Sequence, residues 1–329
     1  MARYLVTGGC GFIGSHLADA LIAGGHSVRI LDDMSTGRIE NKPAAADLIE
    51  GDVADPFIVA KAMHGVDGCF HLAAVASVVR SNQEWRATHC INLTGTITVF
   101  DAARRAKRAR PIPVVYASSA AVYGACPDVP LRETSATQPL SAYGADKLGS
   151  ELHGEVAWHV HGVPTTGLRF FNVYGPRQDP SSAYSGVISI FCDRLVSVRP
   201  VTLFGDGGQS RDFVFVADIV QGLIAAMGRT TSGARVYNLC TGRSTTILEL
   251  VATIAGVLGV RPDIGFAPER QGDIRVSCGD PSRARADLGF LPETSLTQGL
   301  MKTLSASVPT SCIAGLLIPS TPEFESRHG

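Results

Sequence analysis

The residues most suited to chemistry are a tyrosine and a lysine four positions apart. Tyr143 and Lys147 fall in a predicted helix over 142–161, where this spacing places both side chains on one face. A phenol is a poor base at neutral pH, but a neighbouring positive charge lowers its pKa. We therefore predict that Tyr143 is a general acid and base and that Lys147 tunes it.

Two serines precede this helix at the end of a predicted strand over 113–117. Ser118 and Ser119 open the stretch that leads to Gly124. In isolation such serines are typical of turns and helix caps, and a Tyr-x-x-x-Lys spacing occurs on many solvated helices. Because strand ends of a doubly wound sheet border the ligand crevice, we expect Ser119 to contact the same substrate hydroxyl as Tyr143.

A glycine-rich turn separates the first predicted strand from the first predicted helix. Gly9, Gly11 and Gly14 match G-x-G-x-x-G, and Gly8 gives the alternative spacing Gly8-x-x-Gly11-x-x-Gly14. Glycine allows a tight turn and close helix–strand packing, and the helix N-terminus offers free N–H groups to a pyrophosphate. A glycine-rich turn without a ligand remains the alternative on this motif alone.

Two aspartates strengthen the prediction of a dinucleotide site. Asp32 ends the second predicted strand, where a carboxylate accepts hydrogen bonds from the adenosine ribose. The same carboxylate repels a 2′-phosphate, so NAD is favoured over NADP. Asp52, after the third strand-like run, is positioned to meet the adenine amino group or to cap a helix.

The elements that carry these residues alternate strand and helix through the first half of the chain. This order predicts an α/β fold, a Rossmann-type doubly wound parallel sheet with a smaller, interleaved α/β C-terminal substrate domain. Two later runs, 213–216 and 235–240, are predicted to be strands that return to the first sheet. The predicted units are 1–171 with returning segments at about 212–243, the substrate domain 172–211 and 244–306, and a loose tail 307–329.

Composition excludes several other classes of protein. A chain of 329 residues, 45% hydrophobic, has room for about two domains, and its net charge of −1 creates no general attraction to nucleic acid or anionic membranes. No apolar run is long enough to cross a bilayer. Eight scattered cysteines without metal-ligand spacing predict reduced thiols, no metal site and a cytoplasmic location.

Nine motifs then follow along the chain: TGGCGFIG (7–14), LDDMSTG (31–37), GDVAD (51–55), HLAA (71–74), SSAAVYG (118–124), YGADK (143–147), LRFFNVYGPRQDP (168–180), GDGGQSRDFVFVAD (205–218) and PERQGDIRVS (268–277). In this combination the chain resembles the extended short-chain dehydrogenase/reductases, specifically nucleotide-sugar 4-epimerases of the UDP-galactose and UDP-N-acetylglucosamine type. The resemblance covers about residues 3–290 and does not reach the C-terminal tail.

The resemblance implies a set of binding residues. For NAD they are Gly8, Gly11, Phe12, Ile13, Gly14, Asp32, Asp33, Ser35, Thr36, Gly37, Asp52, Val53, Leu72, Ala73, Ala74, Tyr143 and Lys147. For the UDP-sugar they are Ser119, Asn172, Arg211, Arg270, Asp273 and Ser277. Asn172 and the two arginines would contact the diphosphate, because a guanidinium forms paired hydrogen bonds with phosphate oxygens. Asp273 would contact a ribose.

The resemblance also implies a reaction. Tyr143 would take the proton of the sugar 4-hydroxyl while hydride leaves carbon 4 for the retained NAD. The 4-keto sugar would then swing about its diphosphate and accept hydride on its other face. Ser119 would hold the 4-oxygen, and Lys147 would also bind the nicotinamide ribose.

Four positions narrow the reaction and the substrate within the resemblance. Ala120 and Ala121 stand where related dehydratases and decarboxylases carry proton-transferring acids, so simple epimerisation remains. Ser277 stands where a bulky tyrosine closes some sugar pockets, so it hints at UDP-GlcNAc and UDP-GalNAc besides UDP-Glc and UDP-Gal. Ala76 replaces a lysine that some galactose epimerases carry near the cofactor, which weakens an assignment to the plain galactose enzyme.

Other functions stay open on the sequence alone. One is epimerisation of UDP-glucuronate or another nucleotide sugar, and another is a net reductase that releases its cofactor. A non-catalytic NAD-binding sensor or scaffold is the alternative from a different class. The resemblance further implies a homodimer formed through two helices of the first domain.

Overall fold

The computed structural model describes residues 1–106, 110–179, 186–269 and 273–307. The strands are β1 (Arg3–Thr7), β2 (Ser27–Asp32), β3 (Asp47–Glu50), β4 (Gly68–His71), β5 (Val114–Ser119), β6 (Thr165–Phe170), β7 (Asn172–Tyr174), β8 (Val201–Phe204), β9 (Ser210–Arg211), β10 (Phe213–Phe215), β11 (Ala234–Leu239), β12 (Thr245–Thr246), β13 (Ile264–Ala267) and β14 (Val276–Ser277).

The α-helices are α1 (Phe12–Ala23), α2 (Pro56–Met63), α3 (Val78–Gln83), α4 (Trp85–His89), α5 (Gly95–Arg105), α6 (Ala142–His161), α7 (Val187–Val196), α8 (Val216–Arg229), α9 (Ile247–Leu258), α10 (Ser282–Leu288) and α11 (Leu296–Ser307). Short 3₁₀ helices span Ile39–Asn41 and Ala120–Tyr123, and a π-helical turn spans Cys90–Thr94. In the described part of the chain, no helix is both long and apolar enough to cross a membrane.

The main sheet contains seven strands in the order β11-β6-β5-β4-β1-β2-β3. Every pairing in it is parallel, with Val6 of β1 opposite Ile30 on one side and Phe70 on the other. Helices cover both faces, so β4 and β6 are buried along their whole length. The predicted Rossmann-type doubly wound fold is confirmed, and its strand order reverses beside β1, where such sheets bind ligands.

Three apolar clusters make up most of the core. The first joins α1 and α8 to one sheet face through side chains such as Leu17 and Leu223. The second joins α2 and α5 to the opposite face, with Met63 and Val99 among its members. The third belongs to the C-terminal domain, where Phe191 of α7 is clustered with α9 and α11. A separate core for this smaller domain explains how it supports a binding surface beside the sheet.

The second half of the chain differs in part from the sequence-based prediction. The run 235–240 does return to the main sheet as β11, but β10 pairs with β7 in a separate two-stranded sheet. The prediction for 213–216 was therefore wrong in its partner, because a short apolar run does not specify which strand it pairs with. Strand β7 is a further strand that the sequence did not indicate. The predicted tail lies outside the described residues beyond 307.

Helix α6 has well-defined ends. Ser141 caps its N-terminus by accepting a hydrogen bond from the N–H of Gly144, and Gly162 ends it in a left-handed conformation with φ of 66°. The helix is 20 residues long and packs on β5 and β6. It is therefore a rigid carrier for the side chains at its N-terminal end.

Two glycine substitutions test whether close packing of α1 defines the first βα turn. A Cβ at Gly14 would lie 2.1 Å from the backbone oxygen of Gly8, whereas a Cβ at Gly256 in α9 would meet nothing within 4 Å. We expect Gly14→Ala to destabilise the fold by more than about 2 kcal/mol, and Gly256→Ala to stabilise it by about 0.5–1 kcal/mol. Urea unfolding of both variants measures this, and an unchanged midpoint for Gly14→Ala would contradict the packing.

Candidate active site

A cleft of about 710 Å³ lies at the carboxyl ends of the main-sheet strands. All seventeen residues predicted to bind the cofactor line it: Gly8, Gly11, Phe12, Ile13, Gly14, Asp32, Asp33, Ser35, Thr36, Gly37, Asp52, Val53, Leu72, Ala73, Ala74, Tyr143 and Lys147. The structure thus brings together residues from five separate segments of the chain. Their individual roles in binding stay predictions.

The glycines of the first turn serve two purposes. Gly8 has φ of 68°, and a Cβ there would lie 2.8 Å from the backbone nitrogen of Ala73. Gly8 and Gly14 are therefore required by contacts within the protein. A Cβ at Gly11 would have only the Gly8 oxygen nearby, at 3.2 Å. Gly11 instead keeps space open at the N-terminus of α1, whose first N–H groups lack partners within the helix, and this space fits a pyrophosphate.

Asp32 is held in one position at the edge of this cleft. Its Oδ2 accepts a hydrogen bond from the N–H of Cys10 at 2.9 Å, and its Oδ1 accepts one from Met34 at 3.0 Å. Burial raises the pKa of Asp32, and these two hydrogen bonds oppose the shift. A Cβ at Gly37 would come within 2.6 Å of Oδ1. The glycine turn and this fixed carboxylate together fit an NAD molecule.

Two further aspartates that line the cleft, Asp33 and Asp52, hold turns. Asp33 accepts hydrogen bonds from the N–H and the hydroxyl of Ser35 at 3.0 and 2.7 Å. Asp52 accepts one from the N–H of Ala54 at 2.8 Å, whereas the residue that caps α2 is Asp55. The cap alternative for Asp52 therefore does not apply.

The three predicted catalytic side chains meet at the end of β5. Ser119 forms a side-chain hydrogen bond with Tyr143, and its Oγ accepts the N–H of Ala121 at 3.1 Å. Lys147 is buried, and its Nζ donates to the carbonyl oxygen of Ala117 at 2.9 Å. The same Nζ lies 5.8 Å from the centre of the Tyr143 ring. Ser119 thus caps a turn and faces the phenol at once.

Burial and hydrogen bonding act on the pKa of Tyr143 in opposite directions. Burial raises it, and the hydrogen bond from Ser119 lowers it in part. Burial also lowers the pKa of Lys147 to about 8, against the opposing charge of Asp146. In the chain without its cofactor, burial therefore has the larger effect on the phenol pKa, and the predicted tuning by Lys147 stays a prediction. A second positive charge has to reach the phenol before it can act as a base.

A buried histidine supports the backbone beneath the cleft. The hydroxyl of Thr7 accepts the N–H groups of Leu72 and Ala73, both at 3.1 Å, so its own proton points to Nδ1 of His71 at 2.8 Å. The Nε2–H of His71 then donates to the hydroxyl of Thr96 at 3.0 Å. His71 is therefore neutral, and its two hydrogen bonds join β1, β4 and α5.

The π-helical turn between α4 and α5 contributes a second support. Asn92 in this turn accepts the N–H of Val75 at 2.8 Å and donates to its carbonyl oxygen at 3.2 Å. Val75 lines the cleft. The hydroxyl of Thr96 donates to the carbonyl oxygen of Asn92 at 2.6 Å, which connects this contact to the histidine. The sequence-based predictions include neither of these two supports.

A second cavity of about 490 Å³ contains three of the six predicted substrate residues. Asn172, Arg211 and Asp273 line it, together with Phe204 and Gln209. Arg211 donates to Oδ1 of Asp273 at 2.5 Å and is largely buried, and burial lowers its pKa while the carboxylate opposes this. The ion pair fixes both side chains at the cavity wall.

The other predicted substrate residues are Ser119, described above, Ser277 and Arg270. Ser277 is buried in β14, opposite Arg211 in the strand register. Arg270 lies outside the described residues. Ala120 and Ala121 form the 3₁₀ turn after Ser119, so neither supplies a carboxylate there. Among the described residues, no cluster of three His, Cys, Asp or Glu side chains could hold a metal ion.

Ion pairs that the sequence did not indicate tie the segment after β7 to the first domain. Arg177 pairs with Asp19 of α1 at 2.8 Å, and Arg38 pairs with Asp179 at 2.8 Å. Arg38, Arg177 and Asp179 line the cofactor cleft. Because these contacts join residues far apart in the chain, no local sequence pattern indicates them.

Fold and site together define a dinucleotide-binding enzyme of the extended short-chain dehydrogenase/reductase class. Residues 4–240 match the model of the NAD dependent epimerase/dehydratase family. The chain belongs to this family, and NAD is its cofactor.

Individual relatives are similar along nearly the whole chain. A UDP-glucose 4-epimerase from Mycolicibacterium smegmatis is 38% identical over 92% of this chain and 97% of its own. The crystal structure of the Thermotoga maritima UDP-glucose 4-epimerase with UDP-glucose has a TM-score of 0.88 at 34% identity, over 93% of this chain and 98% of its own. A UDP-N-acetylglucosamine 4-epimerase from Methanobrevibacter ruminantium, in complex with UDP-N-acetylmuramic acid, has the same TM-score at 35% identity and the same coverage.

Acid stability tests the neutral histidine. Burial, aided by the charge of Lys147, lowers the pKa of His71 from 6.5 to about 3. Because the folded value lies below the unfolded one, the stability contributed by the neutral imidazole is present above pH 6.5 and is lost as the pH falls. A glutamine side chain does not titrate. We therefore expect the free energy of unfolding of wild type to fall by about 2 kcal/mol more than that of His71→Gln between pH 7 and 5. Equal losses in urea unfolding would contradict the assignment.

Proposed function

We propose that this protein is an NAD-dependent 4-epimerase of UDP-sugars. The observation that carries the proposal is the adjacency of the two cavities. Phe170 and Gly186 line the cofactor cleft, while Asn172 and Val187, one or two residues further along, line the second cavity. A ligand that spans both places its diphosphate between them, with its sugar towards Tyr143.

The catalytic side chains have separate tasks in this proposal. Bound NAD supplies the site that takes hydride from carbon 4 of the sugar and returns it. Tyr143 removes the proton of the 4-hydroxyl and later gives it back. Ser119 holds the 4-oxygen by a hydrogen bond, and its hydrogen bond with Tyr143 opposes the effect of burial on the phenol pKa. Lys147, anchored on Ala117, adds positive charge beside the ring and binds the nicotinamide ribose.

The second cavity would hold the nucleotide part of the substrate. Arg211 retains N–H groups beyond those donated to Ser210, Ile274 and Asp273, and they suit diphosphate oxygens. Asn172 shares the cavity wall and Asp273 would contact a ribose. Arg270, though outside the described residues, keeps its proposed role at the diphosphate.

The sugar is proposed to be GlcNAc/GalNAc, Glc/Gal, or both pairs. Support comes from the small side chain of Ser277, buried beside Arg211. Ala120 and Ala121 favour epimerisation over dehydration or decarboxylation, since methyl groups transfer no protons. The assembled trio at β5 argues against a non-catalytic sensor, which has no need of it. UDP-glucuronate epimerisation and net reduction stay alternatives that no contact in the structure favours.

A homodimer is proposed through the outer face of α6. Leu152, Val156 and Val160 are 63%, 46% and 67% exposed and follow one another at four-residue spacing. Ile97 of the adjacent α5 is also exposed. An uncharged stripe of this kind suits self-association about a two-fold axis, in which each copy covers the other. We also propose a cytoplasmic location, which suits the seven free cysteines of the described residues.

A panel of nucleotide sugars tests the proposed activity. Purified protein is incubated with UDP-Glc, UDP-GlcNAc, UDP-glucuronate and TDP-Glc, and the 4-epimer ratio is read by NMR. We expect the first two to equilibrate and the dialysed enzyme to retain NAD. Tyr143→Phe should lower turnover about a thousandfold with NAD retention intact. Activity on UDP-Glc without UDP-GlcNAc would remove the acetamido proposal, and loss of cofactor on dialysis would favour a reductase.

Light scattering after gel filtration tests the dimer. We expect wild type to have twice the chain mass of 34.6 kDa and Leu152→Asp to approach the mass of one chain, because the charge would be buried without a partner. Phe57→Asp is the matched control, since Phe57 is 85% exposed on α2, which carries none of the residues of the stripe. A wild type of single-chain mass, or a dimeric Leu152→Asp, would refute the interface.

A further inference from the structure

Three consecutive residues of β5 contact three side chains spaced one turn apart on α6. Ser119 hydrogen-bonds with Tyr143, and the Ala117 carbonyl accepts from Lys147. Between them, the hydroxyl of Ser118 donates to Oε1 of Glu151 at 2.5 Å. Positions 143, 147 and 151 follow at four-residue spacing and so share one helix face. The third contact has no role in the reaction derived above.

Glu151 belongs to a buried ion pair. Arg169 of β6 donates to both of its carboxylate oxygens, at 2.9 and 2.7 Å, and the side chains are 6% and 7% exposed. Two aligned hydrogen bonds fix the carboxylate in the plane of the guanidinium. Its position relative to β6 is therefore set before it meets Ser118.

Arg169 also contacts a residue that follows Ser119 in the chain. Its Nη1 donates to the hydroxyl of Tyr123 at 2.8 Å, and its Cζ lies 4.7 Å from the Tyr123 ring centre. Tyr123 in turn donates to Asn238 of β11 at 2.6 Å. Ser119 thus stands between two anchored residues, Ser118 immediately before it and Tyr123 at the end of the 3₁₀ turn that it opens.

A buried ion pair is weak as a source of stability, because removing two charges from water offsets most of their attraction. Its use in directing hydrogen bonds is a better account of its presence here. We propose that Glu151, held by Arg169, is a positioning residue that fixes the Ser119 hydroxyl against Tyr143 through Ser118. The inference rests on the proposed catalytic role of Ser119.

Ser118→Ala tests the inference with little risk to folding. A change at Glu151 would leave Arg169 buried and unpaired, whereas Ser118→Ala removes only a hydroxyl. We expect kcat for the UDP-sugar accepted in the panel to fall about tenfold, with KM, NAD content and melting temperature nearly unchanged. The pH at which kcat reaches half its maximum should rise, because a loosened Ser119 no longer lowers the phenol pKa.

A double-mutant cycle separates positioning from a general structural effect. In a Ser119→Ala background, Ser118→Ala should change kcat by less than about twofold, since its target is already gone. Thr165→Val is the control, because the Thr165 hydroxyl also joins a strand to α6, by a hydrogen bond to Gly154 at 3.1 Å, away from Ser119. This variant should show neither the loss of kcat nor the pH shift.

Three outcomes would overturn the inference. They are an unchanged kcat in Ser118→Ala, an equal loss in both backgrounds, or the same pH shift in Thr165→Val. If Ser119→Ala alone leaves kcat unchanged, the proposed role of Ser119 fails and the inference falls with it. A large effect of Ser119→Ala with additive behaviour refutes the inference alone.

Discussion

The site depends on how helix α6 is seated across the carboxyl end of β5. A phenol, an ammonium group and a carboxylate project from one helix face, and each has a defined contact on one short stretch of strand. The helix has capped ends and packs on β5 and β6, so α6 has one fixed position on the sheet. A small rotation of α6 would separate Tyr143 from Ser119 and Lys147 from Ala117 together.

The parallel sheet explains why distant segments meet around this seat. Parallel strands direct all their carboxyl ends to one edge, so the turns after β1, β2, β4 and β5 border one cleft. The chain then leaves the sheet after β6, and β7 begins two residues later at Asn172. That exit places the smaller domain beside the cofactor cleft, with Phe170 lining one cavity and Asn172 the other. Cofactor and sugar chemistry are thereby brought together by topology.

Local patterns in the sequence carried much of this arrangement. The glycine turn, Asp32 and the Tyr143–Lys147 spacing were predictable because each lies within one or two adjacent elements. The Glu151–Arg169 pair and the Thr7–His71 contact were not, since they join residues 18 and 64 positions apart without a pattern. The burial of Tyr143, which raises its pKa, was not predicted either, because burial depends on tertiary packing. The partner of β10 escaped for the same reason, as pairing is decided outside the strand.

The π-helical turn fixes the length of the chain between α4 and α5. An α-helix advances by about 100° per residue, so deleting one residue between His89 and Gly95 would turn one flank against the other by that angle. Either Thr96 would keep its place under His71 and α4 would be reoriented, or α4 would stay and the hydroxyl would leave the imidazole. A substitution at this junction changes one side chain. A deletion changes the relative orientation of both helices, and no loop separates α4 from α5 to accommodate that change. Spacing at this junction is thus under tighter restraint than residue type.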